Sequence, residues 1–171
     1  MKKLESYIRE IKDFPKPGIN FKDITPLLQD PQALRETLDR LREMVGDQKI
    51  DKVVGIESRG FLFGTVLAGK LKAGFVPVRK PGKLPYKTFT EVYELEYGMD
   101  TLEIHQDAIK KGENVLLHDD VLATGGTART ACNLIEKMGG RIVQCNFLTE
   151  ITHLNGRGKL RNYDVRALIS Y

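Results

Sequence analysis

The sequence has 171 residues and is 41% hydrophobic. This is enough for one domain with a well-covered core, and the chain is short for two domains. Its 27 Lys and Arg against 23 Asp and Glu give a formal charge of +4, which suits anionic small molecules and is far from the dense basic stripes of nucleic-acid binders. No apolar run approaches a membrane span, and Cys132 and Cys145 belong to no CxxC or Cys/His cluster, so we predict no membrane, disulfide or zinc role.

The N-terminal segment predicts a short helix followed by a loop. Leu4, Ile8 and Ile11 recur at helical spacing. Residues 14–23, FPKPGINFKD, contain two prolines and a glycine, which predicts an ordered loop without regular structure that carries Phe21. Charged residues break up any apolar signal-peptide stretch at this end, so we expect a cytoplasmic protein.

A second helix is predicted directly afterwards. Asp30 is a good N-cap, Pro31 suits the first helical position, and Gly46 suits the end. Apolar residues recur along one face of this helix, at Leu34, Leu38, Leu41 and Val45.

From residue 52 onward, apolar strands alternate with amphipathic helices. This pattern predicts a parallel sheet covered by helices on both faces. The predicted strands are 53–56, 75–78, 114–120, 142–151 and 165–170, and the predicted helices are 61–72 and 127–138.

An interruption in this alternation predicts a hairpin. Residues 79–87, RKPGKLPYK, are too rich in Pro, Gly and Lys for a core element. Residues 88–98 and 101–106 then alternate apolar and polar, which predicts a protruding antiparallel hairpin outside the parallel sheet.

The strongest chemical signal is VLLHDDVLATGGTA at 115–128, an apolar strand that runs into two acids and a glycine-rich turn opening a helix. Glycine allows close backbone approach, so the turn can form an anion nest at a positive helix N-terminus. Asp119 and Asp120 can accept hydrogen bonds from sugar hydroxyls, directly or through magnesium-bound water. A solvated strand-to-helix turn is the ordinary alternative, but it does not account for all three features together.

A nucleoside-triphosphate P-loop is excluded because GxxxxGK[ST] is absent; the nearest stretch, residues 64–71, ends in Leu71 where a hydroxyl is needed. The three histidines, His105, His118 and His153, have no ligand spacing, so no metal site made of protein ligands alone is predicted.

The strand-DD-x-x-ATGGT arrangement resembles the diphosphoribose-binding signature of type I phosphoribosyltransferases. The likeness extends to the members that act on adenine, through 13–28, 56–64, 78–85, 95–98 and 119–127. It implies a single α/β domain with a parallel sheet flanked by helices, a small N-terminal hood region (1–30) for the base, a flexible lid hairpin (79–104) and the donor-binding motif (115–128).

The resemblance also implies roles for individual residues. The substrate's 5′-phosphate is held by Ala123, Thr124, Gly125, Gly126 and Thr127, and the ribose hydroxyls by Asp119 and Asp120. The diphosphate is contacted by Ser58, Arg59, Arg79, Lys80 and Lys83. For the last three, solvated surface charge is the alternative that composition alone favours.

For the base, the resemblance implies that Phe21 stacks on the purine, with backbone groups around Asn20 and Arg59 reading its edge. A buried hydrophobic anchor is the competing interpretation of Phe21. In the hairpin, spacing alone leaves several exposed carboxylates equivalent, and the resemblance singles out Glu96 as catalytic, with Tyr97 beside it.

The implied activity is purine salvage: transfer of the 5-phosphoribosyl group from phosphoribosyl diphosphate to adenine, giving AMP and diphosphate, with Mg2+ arriving on the donor. A homodimer is expected, and no nucleic-acid or membrane partner. Transfer to xanthine, hypoxanthine or guanine, and a non-catalytic sensor of the donor, are the alternatives. His118 stands where an apolar residue is common before the acid pair, which could perturb the ionisation of the acids.

Overall fold

The computed structural model describes residues 3–95 and 98–171, and its contacts divide the chain after Arg40 into two units. The first unit holds a 3-10 helix and two short strands, followed by a short helix and the start of a long one. The bounds are Leu4–Tyr7 (3-10), β1 Arg9–Ile11, β2 Phe21–Asp23, α1 Thr25–Gln29 and α2 Pro31–Val45.

The prediction for the first eleven residues is wrong. Only Leu4–Tyr7 is helical, and β1 pairs antiparallel with β2, so that Ile11 lies opposite Phe21. The loop prediction for 14–23 is also wrong at its end, since β2 covers Phe21–Asp23. Ion pairs between the two strands, Arg9–Asp23 and Lys22–Glu10, stabilise a pairing that local spacing does not encode.

The predicted start of α2 is confirmed. Asp30 Oδ1 accepts hydrogen bonds from the backbone N–H groups of Gln32 (3.0 Å) and Ala33 (2.8 Å). These groups would otherwise lack partners in the first helical turn. The helix ends at Val45, immediately before Gly46, which has a φ of +67°.

The second unit is a parallel sheet with helices on both faces, as predicted. The strand order is β4-β3-β7-β8-β9, and every pair is parallel. The elements are β3 Lys52–Ile56, α3 Gly60–Leu71, β4 Gly74–Val78, β5 Thr88–Leu95, β6 Gly98–His105, β7 Asn114–Leu122, α4 Gly126–Lys137, β8 Arg141–Glu150, two 3-10 helices (Thr152–Leu154 and Gly156–Leu160) and β9 Val165–Ser170.

Successive residues of the central strands enter different cores. Val54 and Leu117 pack with α4 on one face, whereas Val53 and Leu116 pack with Ala68 of α3 on the other. Because both faces are covered, residues 53–56 of β3 and 115–117 of β7 are continuous apolar runs. Cys132 and Cys145 are fully buried, with their sulfur atoms 3.8 Å apart.

The predicted hairpin forms a separate two-stranded sheet of β5 and β6. The half nearest the parallel sheet is packed, since Leu102 and Ile104 are fully buried in the core that contains α4. Within residues 3–95 and 98–171, no helix combines the length and apolar character needed to cross a membrane.

Candidate functional site

Four loops meet at one edge of the parallel sheet, where β3, β4, β7 and β8 have their carboxyl ends. From β3 the chain moves outward to β4, and from β7 it moves outward to β8 on the other side, so the order reverses between β3 and β7. Open α/β sheets bind ligands at such a switch point. The loop after β3 and the loop after β7 flank it.

The loop after β7, residues 123–127, is called here the phosphate loop. Gly125 stands at the N-cap of α4 with φ +76° and ψ 0°, a left-handed conformation that glycine adopts without strain. The first backbone N–H groups of α4 have no partners within the helix, and they give this end partial positive charge. A cavity of about 70 Å³ lies here, lined by the phosphate loop and Asp119. The residues predicted to bind phosphate therefore form a loop whose geometry suits an anion.

The two acids lie beside this cavity, but two residues before the end of β7 and not at its end, which corrects the sequence prediction. The backbone N–H of Asp120 donates to Asp119 Oδ1 at 2.9 Å, and Arg59 Nε lies 2.9 Å from Asp120 Oδ2. Burial and the neighbouring Asp120 charge raise the pKa of Asp119 well above its usual range. Burial also raises the pKa of Asp120, against the lowering effect of Arg59.

Gly60, the first residue of α3, allows this close approach. A Cβ atom on Gly60 would lie 2.9 Å from Asp119 Oδ1 and 3.0 Å from the carbonyl oxygen of His118. Such contacts are too short for any side chain, so a larger residue would displace the acid pair. Ser58 and Arg59 precede Gly60 in the loop after β3, and Arg59 contacts an acid of β7, so the structure brings this loop to the acid pair.

The loop after β4, residues 79–83, is called here the cation loop, and the partly buried acid Glu57 organises it. Glu57 accepts hydrogen bonds from Arg79 Nε at 3.2 Å and from the backbone N–H of Lys80 at 2.9 Å, and its Oε1 pairs with Lys83 Nζ. Burial raises the pKa of Glu57, but the hydrogen bonds from these three basic residues outweigh burial and lower it to about 2. Two of the predicted diphosphate-binding side chains, those of Arg79 and Lys83, therefore converge on one carboxylate.

The hairpin joins the two loops through a polar chain. Thr127 Oγ1 lies 3.4 Å from the hydroxyl of Tyr93, which donates to Asp100 Oδ2 at 3.0 Å. Asp100 in turn pairs with Lys80 of the cation loop. The predicted catalytic Glu96 and its neighbour Tyr97 lie outside the described residues.

In the first unit, Asn20 is exposed and Phe21 is half-buried. The amide of Asn20 donates to Glu10 Oε2 at 3.2 Å, and the Phe21 ring packs edge-on against Phe14 with 5.2 Å between centroids. The part predicted for these residues in base binding stays a prediction.

His118 lies in the protein interior, with its ring centroid 6.1 Å from that of Phe63 on α3. Its Nδ1 lies 2.6 Å from Asn146 Oδ1 on β8, and the side chain is fully buried. Burial lowers the pKa of His118 to about 4, so the imidazole is neutral at neutral pH. A larger cavity of about 580 Å³ lies at the opposite edge of the sheet, beside Gly46, Asp51 and Lys72, away from these groups.

Sequence reasoning missed four residues of this site. Glu57 stands inside the quoted motif 56–64, so its carboxylate beside Arg59 was a readable signal. Gly60 stands in the same motif, but only the approach of Asp119 in the folded chain shows why a glycine is needed there. Tyr93 and Asp100 carry no local signal, because only the pairing of β5 with β6 brings them opposite each other.

The chain is similar to known proteins over nearly its full length. A family model described as "Phosphoribosyl transferase domain" matches residues 23–169. An adenine phosphoribosyltransferase of Christiangramia forsetii is 66% identical over 168 residues, covering 98% of both chains. The crystal structure of adenine phosphoribosyltransferase from Thermoanaerobacter pseudethanolicus superposes with a TM-score of 0.97 at 51% identity, covering 98% of both chains. That from Saccharomyces cerevisiae, complexed with an imino-altritol bisphosphate and adenine, gives 0.91 at 44% identity over 96% of both chains.

Proposed function

The chain belongs to the phosphoribosyltransferase family, and we propose that it transfers the 5-phosphoribosyl group of phosphoribosyl diphosphate to adenine, giving AMP and diphosphate in purine salvage. The observation that carries the proposal is the acid pair of β7, followed by a left-handed glycine turn at the N-terminus of α4. Adenine is the proposed acceptor because the chain is similar over nearly its full length to relatives named for adenine.

The phosphate loop binds the donor's 5′-phosphate through the backbone N–H groups at the start of α4 and the hydroxyls of Thr124 and Thr127. Asp119 and Asp120 accept hydrogen bonds from the ribose hydroxyls. Ionising this pair is unfavourable in the free protein, because desolvation raises both pKa values. A donor that brings hydroxyl protons and cations offsets this cost.

The cation loop stabilises the leaving diphosphate. Breaking the bond between the ribose carbon and diphosphate places negative charge on the leaving oxygens, which the guanidinium of Arg79 and the ammonium of Lys83 can bind. In the free protein both cations contact Glu57, so diphosphate competes with this carboxylate for the same groups. Ser58, Arg59 and Lys80 are the further groups proposed for this part of the donor.

Magnesium fits the carboxylates present. Mg2+ is bound in many enzymes by one or two carboxylates together with substrate phosphates and waters. Asp119 lines the cavity at the phosphate loop, and Asp120 is its neighbour on β7. When bound, the ion neutralises charge on the diphosphate. Asp119 and Asp120 would hold it through the ribose hydroxyls or waters.

We assign proton transfer at the purine to Glu96. The ring nitrogen that attacks the ribose carbon loses its proton as the new bond forms, and a carboxylate can accept it. The hairpin, with Tyr97 beside Glu96, closes over the site and keeps water from hydrolysing the donor. Phe21 stacks on the adenine ring, and backbone groups around Asn20 read its edge.

Replacing Glu96 with Gln should lower kcat about 100-fold, the usual scale of an acid–base contribution, without raising the Michaelis constant of the donor. Glu91→Gln is the matched control, because Glu91 lies on β5 and, among the described residues, its carboxylate accepts a hydrogen bond from Asn133 at 3.2 Å. A Glu96→Gln enzyme with the kcat of the control would remove Glu96 from the chemistry.

A homodimer is proposed from the surface of α3. This helix, GFLFGTVLAGKL, is apolar on most sides, and Leu62 and Val66, one turn apart, are 46% and 42% exposed. Helices apolar on all sides are usually covered. Light scattering should give a dimer mass for the wild type and a monomer mass for Leu62→Glu.

We expect a cytoplasmic location for the enzyme.

The deciding experiment is AMP formation from adenine and phosphoribosyl diphosphate by purified protein, with and without Mg2+, beside hypoxanthine, guanine and xanthine. Product from adenine alone, dependent on Mg2+, supports the proposal. Preference for another purine keeps the donor chemistry and changes the acceptor. Binding of the donor without turnover of any base would indicate a sensor.

A further inference from the structure

Residues 155–160, called here the backing segment, pack against the phosphate loop, with main chain in contact with main chain. A Cβ atom on Gly156 would lie 2.4 Å from the carbonyl oxygen of Ala123. In the reverse direction, a Cβ atom on Gly125 would lie 2.4 Å from the carbonyl oxygen of Gly156. Neither position has room for a single methyl group, so the loop and the backing segment set each other's position.

Space, and not backbone conformation, requires glycine at position 156. Gly156 is buried and is absent from the glycines with a left-handed φ, so alanine could adopt its conformation. The added methyl group would meet Ala123 and also Leu122 Cδ1 at 2.9 Å. Since the obstructing atom of Ala123 is backbone, the phosphate loop itself would have to move.

The backing segment is anchored independently of the phosphate loop. The guanidinium of Arg157 donates to both carboxylate oxygens of Glu150, at 2.8 and 2.9 Å from Nε, and to the carbonyl oxygen of Val165 at 2.7 Å. Glu150 ends β8 and is 5% exposed, and Leu160 is fully buried in the main core. Because the backing segment is held in place by these contacts, a side chain added at Gly156 would displace the phosphate loop and not the backing segment.

We propose that the backing segment positions the phosphate loop for the donor's 5′-phosphate, and that Gly156 is a positioning residue for phosphoribosyl transfer. The inference rests on the proposed function. An anion nest binds through several N–H groups at once, so a displacement of a few tenths of an ångström misaligns all of them. Gly156 does not itself touch substrate.

The test is Gly156→Ala against Gly158→Ala. Gly158 lies in the same 3-10 helix, but a Cβ atom there meets only the side chain of Asn155, at 3.2 Å and beyond. We expect Gly156→Ala to raise the Michaelis constant of the donor about 10-fold or more, with kcat at saturating donor and the constant for adenine little changed, which is the pattern of lost uniform binding. Gly158→Ala should resemble the wild type.

Calorimetric titration with ribose 5-phosphate separates this inference from the proposed function. If wild-type protein makes no AMP, the proposed function fails, yet weaker ribose 5-phosphate binding by Gly156→Ala than by Gly158→Ala would still support the positioning role. A folded Gly156→Ala protein that binds donor and ribose 5-phosphate like the control overturns the inference.

Glu150→Gln covers the case in which Gly156→Ala does not fold. This change keeps the side-chain shape but weakens the anchor of Arg157, so it should raise the donor's Michaelis constant about three-fold with kcat unchanged. No change in that constant would overturn the inference by itself.

Discussion

The phosphate loop and the cation loop stand at the same edge of one sheet but are held in place by different forces. The phosphate loop is fixed by backbone packing: Gly125 and Gly156 touch with no room for a methyl group. The cation loop is fixed by charge, because Arg79 and Lys83 both contact the partly buried carboxylate of Glu57. Close packing tolerates no displacement, whereas an ion pair can be exchanged for another anion.

This difference matches the two ends of the proposed donor. The 5′-phosphate stays on the sugar throughout the reaction, so a rigid, pre-formed nest serves it from binding to product release. The diphosphate leaves, so its binding groups must hold it and then let it go. A carboxylate that takes the cations back gives them a partner once the product has departed.

The largest expected effect comes from breaking the packed loop. Gly125→Ala should lower kcat/KM for the donor at least 100-fold, because it adds left-handed strain and a collision with Gly156. Gly112→Ala is the matched control, since Gly112 also has a left-handed φ (+85°) but open space around its Cβ position. If both variants lose the same activity, strain and not packing explains the effect.

Asp119→Asn should lower kcat/KM about 10- to 100-fold, the scale of hydrogen bonds to a charged group, and should raise the melting temperature. The pKa of Asp119 is raised in the folded protein, so the folded state binds the proton more tightly than the unfolded state. Ionisation therefore costs stability as pH rises above the unfolded value near 3.8, and Asn removes that cost.

Thermal unfolding of Asp119→Asn and wild type at pH 7.5 and at pH 4.5 checks this reasoning. The stability advantage of the variant should be larger at pH 7.5 and shrink toward acid. An advantage that grows toward acid would show that the acid pair stabilises the fold.

Glu57→Gln tests the charged loop. The donor's Michaelis constant should rise about 5- to 10-fold and become more salt-sensitive, because Arg79 and Lys83 lose the partner that orients them. The pKa of Glu57 is lowered to about 2, so the carboxylate stabilises the fold fully above pH 4.5 and loses this contribution as pH falls through 2.

The stability difference between Glu57→Gln and wild type should accordingly be on the order of 1–3 kcal/mol near neutral pH and should shrink only below about pH 4.5. Chemical denaturation across pH 2 to 7 measures it. Glu113→Gln is the control, because Glu113 lies just before β7, at the other edge of the sheet. Among the described residues, its carboxylate accepts a hydrogen bond from the backbone N–H of Lys110 at 2.8 Å and lies 3.9 Å from Lys52.

The smallest expected effect is at the hairpin. Asp100→Asn removes the charge that pairs with Lys80, but both side chains are partly exposed, so donor affinity should change three-fold or less. Donor titrations at low and moderate salt measure the change. A ten-fold loss would mean that the hairpin, and not Glu57, sets the position of the cation loop.

Much of this site was readable locally. Asp119, Asp120 and the glycine turn follow an apolar strand within fourteen residues, 115–128, so the chain itself places them together. The prediction failed where pairing partners are distant in sequence. Leu4, Ile8 and Ile11 have helical spacing, yet Arg9–Ile11 is a strand. Its pairing with Phe21–Asp23 makes this segment extended.

By itself, then, the sequence determined the alternation of strands and helices, the capped start of α2 and the anion-binding turn, because each depends on neighbours along the chain. Only the tertiary structure decided that Arg79 and Lys83 bind Glu57, that Gly60 leaves room for Asp119, and that Gly156 packs against the phosphate loop. These contacts join segments up to 59 positions apart, at the meeting of Gly60 with Asp119. They depend on which strand ends share an edge, which no local pattern encodes.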